Sequence, residues 1–178
     1  RVGSRTGDRL VMGEPNADGF RLPDDVKVIG RSQARKGAKA YIMEEAAGIE
    51  WQISARSFFQ SSPEGAEMLA ALAAEWLTVH DVGEQVLVDL YAGVGLFSGT
   101  VGDWFEKVTA IESSISAVKD AAHNLGSHVA VHQLQVEDWL PELADVVIAD
   151  PPRAGLRAKG VEQIRKTEAP HVLLVSCD

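Results

Sequence analysis

Residues 86–98, VLVDLYAGVGLFS, constrain this chain more than any other stretch. Val86-Leu87-Val88 is a short apolar run of the kind that forms a buried strand, and Asp89 stands at its end. Tyr91-Ala92-Gly93-Val94-Gly95 follows as a turn, and from Leu96 the pattern is helical. Two glycines at this spacing let the backbone turn tightly and let a ligand approach with no side chain in the way. The helix that begins here aims unpaired amides and the positive end of its dipole at the same spot. As a dinucleotide fingerprint the loop is Gly93-x-Gly95-x-x-Ser98, with serine at the third glycine position. A plain strand-to-helix turn has the same form, so the loop alone assigns no ligand. Glu112 adds weight, because it ends the next strand, where a carboxylate can accept both ribose hydroxyls of an adenosine. The pair points to an adenosine-containing cofactor without saying which.

From residue 86 onward, strands and helices alternate. Strands are expected at 86–90, 107–111, 128–132, 145–149 and 171–176, and helices at 96–104, 114–125 and 158–167. Short apolar strands separated by helices predict an α/β fold of Rossmann-like type, a mostly parallel sheet covered on both faces. Ligands of such sheets sit outside the carboxyl ends of the strands, so the chemistry is expected there.

The chain before residue 86 has another character. Residues 1–30 mix Gly, Pro and charge around short apolar pieces, with Val26 to Ile29 the clearest strand. Alternation returns at 39–43 and 49–53, and Ala47-Gly48 between them suggests a hairpin. Residues 1–55 are therefore expected to be the end of an antiparallel region, with a cofactor-binding domain over 56–178. Ser62 can cap a helix that starts at Pro63, with Glu64 and Glu67 near the positive end of its dipole. Met68, Leu69, Leu72, Ala73, Trp76 and Leu77 give that helix an apolar face, and Gly83 punctuates its end.

Composition excludes several classes. The chain has 178 residues, 46% hydrophobic and 24% charged, which suits a globular domain with a sizeable core. No apolar run approaches a membrane span, and no signal-peptide pattern opens the chain. A single cysteine excludes an internal disulfide framework and a cysteine-rich metal site, so no metal and no disulfide-linked partner are expected. The chain starts at Arg1 and stops at Asp178 just after a strand, which reads as part of a longer cytoplasmic protein. A net charge of −9 argues against a nucleic-acid partner, since phosphate contacts need Lys and Arg. Its distribution softens the argument: residues 1–40 carry nine Lys/Arg against five Asp/Glu, leaving −13 for residues 41–178. Arg31, Arg35, Lys36 and Lys39 form one basic stretch, and Arg153, Arg157, Lys159, Arg165 and Lys166 another; either is also consistent with a solvated face.

The remaining strand ends carry the other candidates. After the third strand comes Val136-Glu137-Asp138-Trp139-Leu140, where Asp138 is placed to reach an adenine amino group. The fourth ends in Ala149-Asp150-Pro151-Pro152-Arg153-Ala154-Gly155. Consecutive prolines fix the backbone and remove two amide donors, so Asp150 sits on a stiff loop. The fifth delivers Ser176-Cys177-Asp178. A lone cysteine after an apolar run is commonly a small core residue. Beyond the strand's apolar part, at the ligand edge of the sheet, Cys177 is instead a candidate nucleophile. A free thiol with a pKa of about 8.5 is only a few per cent thiolate at neutral pH, so the site must help ionise it.

In that order, VLVDLYAGVGLFS, AIE, VEDWL, ADPPRAGL and VLLVSCD closely resemble the RNA uracil-5-methyltransferases that use S-adenosylmethionine. Ser57-Phe58-Phe59-Gln60 before the Pro63 helix resembles that family's Phe-x-Gln segment. The resemblance covers roughly residues 55–178 and is weaker across 1–54. It implies that Gln60, Tyr91, Glu112, Asp138 and Asp150 contact or surround the cofactor, with Gly93 and Gly95 in its loop. It also implies that Phe58 lies near the substrate base and that Cys177 is the nucleophile. Glu137 competes with Asp138, and Asp150 is open between the pyrimidine edge and the cofactor. The family often has Asn after the loop's second glycine; Leu96 stands here, and that contact is not carried over. The implied substrate is a uridine in ribosomal or transfer RNA, flipped out of any folded structure to reach the site. The family takes its general base from a glutamate well beyond the cysteine, so this stretch alone is expected to bind cofactor weakly and not to turn over.

Competing readings meet particular residues. Amino-group methyltransferases carry an aromatic after the paired prolines, whereas here Arg153 stands there. RNA cytosine-5-methyltransferases place a further cysteine in the fourth-strand loop, which has none. A nicotinamide-dependent oxidoreductase accounts for the glycine loop and Glu112 but leaves Asp150-Pro151-Pro152 and Cys177 idle. A non-catalytic RNA-binding module stays open.

Overall fold

The computed structural model describes residues 1–14, 22–35, 39–82 and 85–176. Five parallel strands form its central sheet: β5 (Val86–Leu90), β6 (Lys107–Glu112), β7 (Val129–Gln133), β8 (Val146–Ala149) and β9 (His171–Leu174), in the order β7-β6-β5-β8-β9. Helices α3 (Leu96–Val101), α4 (Ile115–Asn124) and α5 (Ala158–Lys166) connect them, and a 3-10 turn extends α3 over Gly102–Trp104.

Side-chain alternation along each strand divides the core in two. Leu87, Val108, Ala110, Val146 and Ile148 face Phe97 and Val101 of α3 and Ala73 and Leu77 of α2 (Pro63–Val79). On the opposite face, Val88, Leu90, Ile111, Val147 and Ala149 pack with Val136, Trp139 and Ile164 of α5. Both faces of the inner strands are covered, so β5, β6 and β8 are mostly buried and largely apolar, whereas the edge strands β7 and β9 keep exposed positions.

Helix α2 starts as its sequence predicts. Ser62 caps it, accepting the Gly65 N–H at 3.1 Å, and Pro63 occupies the first turn. Its buried stripe keeps Ala73 and Leu77 of the expected face, with Leu69 and Trp76 packed at its edge, but not Met68 and Leu72. Ala66, Ala70, Ala73 and Leu77 point inward, whereas Met68 is 65% and Leu72 is 55% exposed. Small side chains let the helix lie close to the sheet, which turns the larger apolar residues toward the flank. There, Leu72, Trp76 and Val79 line an apolar groove of about 510 Å³ with Leu173 and Leu174 of the edge strand β9.

The N-terminal part holds β1 (Arg9–Gly13), β2 (Val26–Gly30), the short helix α1 (Arg31–Arg35) and the hairpin β3 (Tyr41–Ala46)–β4 (Ile49–Ser54). The hairpin is antiparallel about Ala47-Gly48, whose φ angles of 54° and 71° suit the tight turn. β1 and β2 correct the antiparallel expectation: they pair in parallel, Arg9 beside Val26 and Gly13 beside Gly30. The dozen residues between them are about the length a parallel crossover needs, and nothing in two short strands encodes their relative direction. Leu10, Ile42, Ala46, Trp51 and Ile53 form one cluster with Ala66, Val94 and Leu96, joining this part to the glycine turn.

Candidate functional site

The strand order places a topological switch between β5 and β8: the chain runs outward from β5 through β6 and β7, then returns to the other side of β5. Open α/β sheets bind ligands in the crevice at such a point. In register, Leu90 lies beside Ala149, so Tyr91 and Asp150 leave adjacent strands at the same level. Glu112 ends β6 on the other side of β5, since Leu90 also pairs with Ile111.

The turn is built from left-handed residues. Tyr91, Gly93 and Gly95 have φ of 61°, 58° and 99°. A Cβ on Gly95 would lie 2.8 Å from the Leu125 side chain, so glycine is required there for space as well as conformation. Glu112 fixes the turn: it accepts the Gly93 N–H at 2.9 Å and the Ser114 N–H at 2.6 Å. A carboxylate has about four acceptor positions, so Glu112 retains capacity for a ligand's hydroxyls.

Beneath the turn lies a group that the motif did not single out for a role. Asp89 is fully buried; one of its oxygens accepts from Ser98, and the other has no partner among the described residues. Burial pushes its carboxyl up to about 7; the Ser98 bonds oppose this, while the charges of Asp150 and Glu112 add to it. Asp150 is half-buried, and burial pushes its carboxyl up as well. Burial also raises the Tyr91 phenol, helped by the charge of Glu137 and opposed by Arg157.

The other candidates are distributed around this centre. Asp138 ends a 3-10 turn (Val136–Asp138) and pairs with Lys159 of α5 at 3.1 Å. It is exposed, whereas Glu137 beside it is half-buried. Gln60 is half-buried and Phe58 is 68% exposed. The Phe58 carbonyl lies 4.0 Å from the point a Gly93 Cβ would occupy, so the Phe58–Gln60 segment runs against the glycine turn. Cys177 and Gly83 lie outside the described residues. The apolar groove between α2 and β9 shares no residue with this site.

Several polar residues that shape the site stand outside every motif. Asp120 of α4 is buried and accepts from the Gln52 side chain at 3.0 Å, from the Ser54 N–H at 2.8 Å and hydroxyl at 2.7 Å, and from the Ser57 hydroxyl. One turn later, Asn124 accepts the Gln52 N–H and donates to the Gln52 and Val94 carbonyls. Together they tie β4, the segment entering Phe58 and the glycine turn to one helix. The available signal was their i, i+4 spacing, which puts both on one face of α4. Among the described residues, no group of three or more His, Cys, Asp or Glu is arranged to hold a metal, and no helix is long and apolar enough to cross a membrane.

No protein-family model matches the chain. An uncharacterized RNA methyltransferase of Streptomyces avermitilis is 35% identical over 190 residues, covering 96% of this chain and 43% of the relative. Another, from Thermosynechococcus vestitus, is 32% identical over 158 residues, covering 85% of this chain and 35% of the relative. The chain is a relative of the RNA methyltransferases. It spans less than half the length of these curated relatives. Among solved structures, the Pyrococcus abyssi tRNA (uracil-54, C5)-methyltransferase in complex with S-adenosyl-L-homocysteine superposes with a TM-score of 0.73 at 22% identity, covering all of this chain and 49% of that one. At that identity the likeness establishes the fold: the Rossmann-like sheet expected from the alternating strands and helices is present.

Proposed function

We propose that this chain carries the cofactor site and the nucleophile of an RNA methyltransferase that moves a methyl group from S-adenosylmethionine to carbon 5 of a uridine. The observation carrying this reading is the convergence at the β5/β8 switch point. A left-handed glycine turn, the ribose-type carboxylate Glu112 and the half-buried Asp150 meet by a buried Asp89 oxygen that has no donor among the described residues. An adenosine ligand bearing positive charge matches that set: hydroxyls for Glu112, an amino group for Asp138, and cationic groups for a crevice rich in carboxylates.

S-adenosylmethionine, when bound, supplies an electrophilic methyl group on a positively charged sulfur. The chain's part is to hold that molecule and to make a poor carbon nucleophile react. In this reading Cys177 adds as thiolate to carbon 6 of the uracil, forming a carbon–sulfur bond and leaving an enolate whose electron density lies on carbon 5. After carbon 5 is methylated, a general base takes its remaining proton, the double bond reforms and the thiolate leaves. In this reading Phe58, exposed beside the glycine turn, stacks on the target base, and Asp150 hydrogen-bonds its edge.

The test uses the full-length protein with S-adenosylmethionine and RNA containing 5-fluorouridine. Fluorine cannot leave as a proton, so the carbon–sulfur adduct accumulates and migrates as a shifted band on a denaturing gel. The band is expected for the wild type and absent for Cys177→Ala. No band, with cofactor binding demonstrated and a range of cellular RNAs supplied, would assign the methyl group to a different target atom.

A further inference from the structure

We propose that Gln163 of α5 is a positioning residue of the cofactor site, holding the turn that presents Asp138 to the adenine. The inference rests on the cofactor reading above. Gln163 is buried although it is a polar residue on a helix whose neighbouring positions are largely charged. Its side-chain nitrogen donates to the Glu137 carbonyl at 3.1 Å and to the Trp139 carbonyl at 2.9 Å, the two carbonyls that bracket Asp138. The surroundings fix which way the amide points: carbonyls face its nitrogen, and the Lys166 ammonium donates to its oxygen at 3.4 Å. Both hydrogens of one amide are thus committed to a single three-residue turn.

Two neighbouring positions of α5 act on the same region. Lys159, one turn earlier, bonds Asp138 Oδ1. Gly160 lets the helix approach Tyr91: a Cβ there would lie 3.2 Å from the Tyr91 hydroxyl. Lys159, Gly160 and Gln163 therefore form a helix face directed at the adenine side of the site. The same helix follows the Asp150-Pro151-Pro152 loop within a few residues, so one rigid element sets both walls. Removing the Gln163 donors leaves two backbone carbonyls without their partner and releases the turn, so Asp138 loses its fixed direction.

The experiment compares two ligands on the full-length protein by isothermal titration calorimetry. S-adenosylhomocysteine has the adenine amino group; S-inosylhomocysteine has a carbonyl oxygen in its place. The wild type is expected to bind the adenosine ligand at least about tenfold more tightly, the worth of one well-placed hydrogen bond. Gln163→Met, which keeps the side-chain length without donors, is expected to bring that ratio to about two or less, as Asp138→Asn does. A variant that weakens both ligands equally, or keeps the wild-type ratio, would overturn the proposal, because a residue needed only for folding does not distinguish the two bases. Should Gln163→Met fail to fold, Gln163→Asn, whose shorter amide cannot reach both carbonyls, is the second variant; the wild-type ratio there overturns the proposal. Failure of the wild type to bind S-adenosylhomocysteine at all refutes the cofactor reading and this inference together. Binding without discrimination refutes this inference alone.

Discussion

Ser98 donates its backbone N–H and its hydroxyl to the same oxygen of Asp89, at 3.0 and 2.7 Å, and the other oxygen stays buried without a partner among the described residues. A carboxylate in that position is poorly solvated, and its proton is held to about pH 7. The unfolded chain releases the same proton near pH 4. Between those values the folded state binds more protons, so Asp89 supports the fold fully below about pH 4, and that support is lost as pH rises through 7. Asp8, which accepts the Met43 N–H and lies below its ordinary range, acts oppositely and loses its contribution as pH falls. Thermal melts of wild type and Asp89→Asn should therefore diverge between pH 5 and 7. The wild type loses stability relative to the variant with a slope of at most about 1.4 kcal/mol per pH unit. Parallel curves would show that Asp89 is already ionised in the folded protein.

Cofactor binding should draw on the same group. S-adenosylmethionine brings a sulfonium and an ammonium charge, and positive charge beside Asp89 and Asp150 favours their ionised forms. Binding then releases protons below pH 7, and affinity rises with pH by up to about tenfold per unit for each proton released. The rise should be steeper for S-adenosylmethionine than for S-adenosylhomocysteine, which lacks the sulfonium charge, and flatter in Asp89→Asn. Titrations at pH 5.5, 6.5 and 7.5 measure it.

Asp120 tests the joint between the hairpin and the sheet. Asp120→Ala strands the buried Ser57 hydroxyl and the partly buried Ser54 N–H, Ser54 hydroxyl and Gln52 side-chain donors. The expected loss is on the order of 3 kcal/mol in denaturant unfolding. Asp120→Asn retains one acceptor oxygen but turns an amide toward donors, so it should cost less than alanine without being neutral. Near-zero losses for both would mean that β4 and α4 are held by apolar packing alone.

The main sheet was legible because its signals are local. Each strand from β5 to β9 begins as or contains a short apolar run, three of the four connections have helical spacing, and Ser62-Pro63 starts α2 where capping chemistry places it. The glycine turn, Glu112 and Asp150 followed, since strand ends of such a sheet converge. What escaped was set by partners distant in sequence. Asp120 meets Ser54 across 66 positions and Gln163 meets Trp139 across 24, and a polar residue on a helix gives no sign of whether water or a buried carbonyl awaits it. The exposure of Met68 and Leu72 was hidden for the related reason that periodicity marks an apolar face without saying how much of it the sheet can cover. The pairing direction of β1 and β2 likewise has no local signal in either strand.

Ser98 occupies the third glycine position of the fingerprint, and the close packing usually secured there has moved one residue on. A Cβ on Gly99 would lie 2.6 Å from the Trp51 ring and 3.2 Å from Leu125. Trp51 is fully buried and its indole N–H donates to the Ala46 carbonyl at 3.0 Å, so it has little room to yield. Alanine favours a helix over glycine by about 1 kcal/mol, but overpacking against a fixed ring costs about 1–3 kcal/mol. Gly99→Ala is therefore expected to destabilise by up to about 2 kcal/mol net, the reverse of the usual sign for this substitution inside a helix. Ser98→Gly should also destabilise, by removing the hydroxyl bond to Asp89. Urea unfolding of both variants checks the pair. Stabilisation by Gly99→Ala would show that the ring shifts aside, and that the contact between the hairpin and the glycine turn is looser than these distances require.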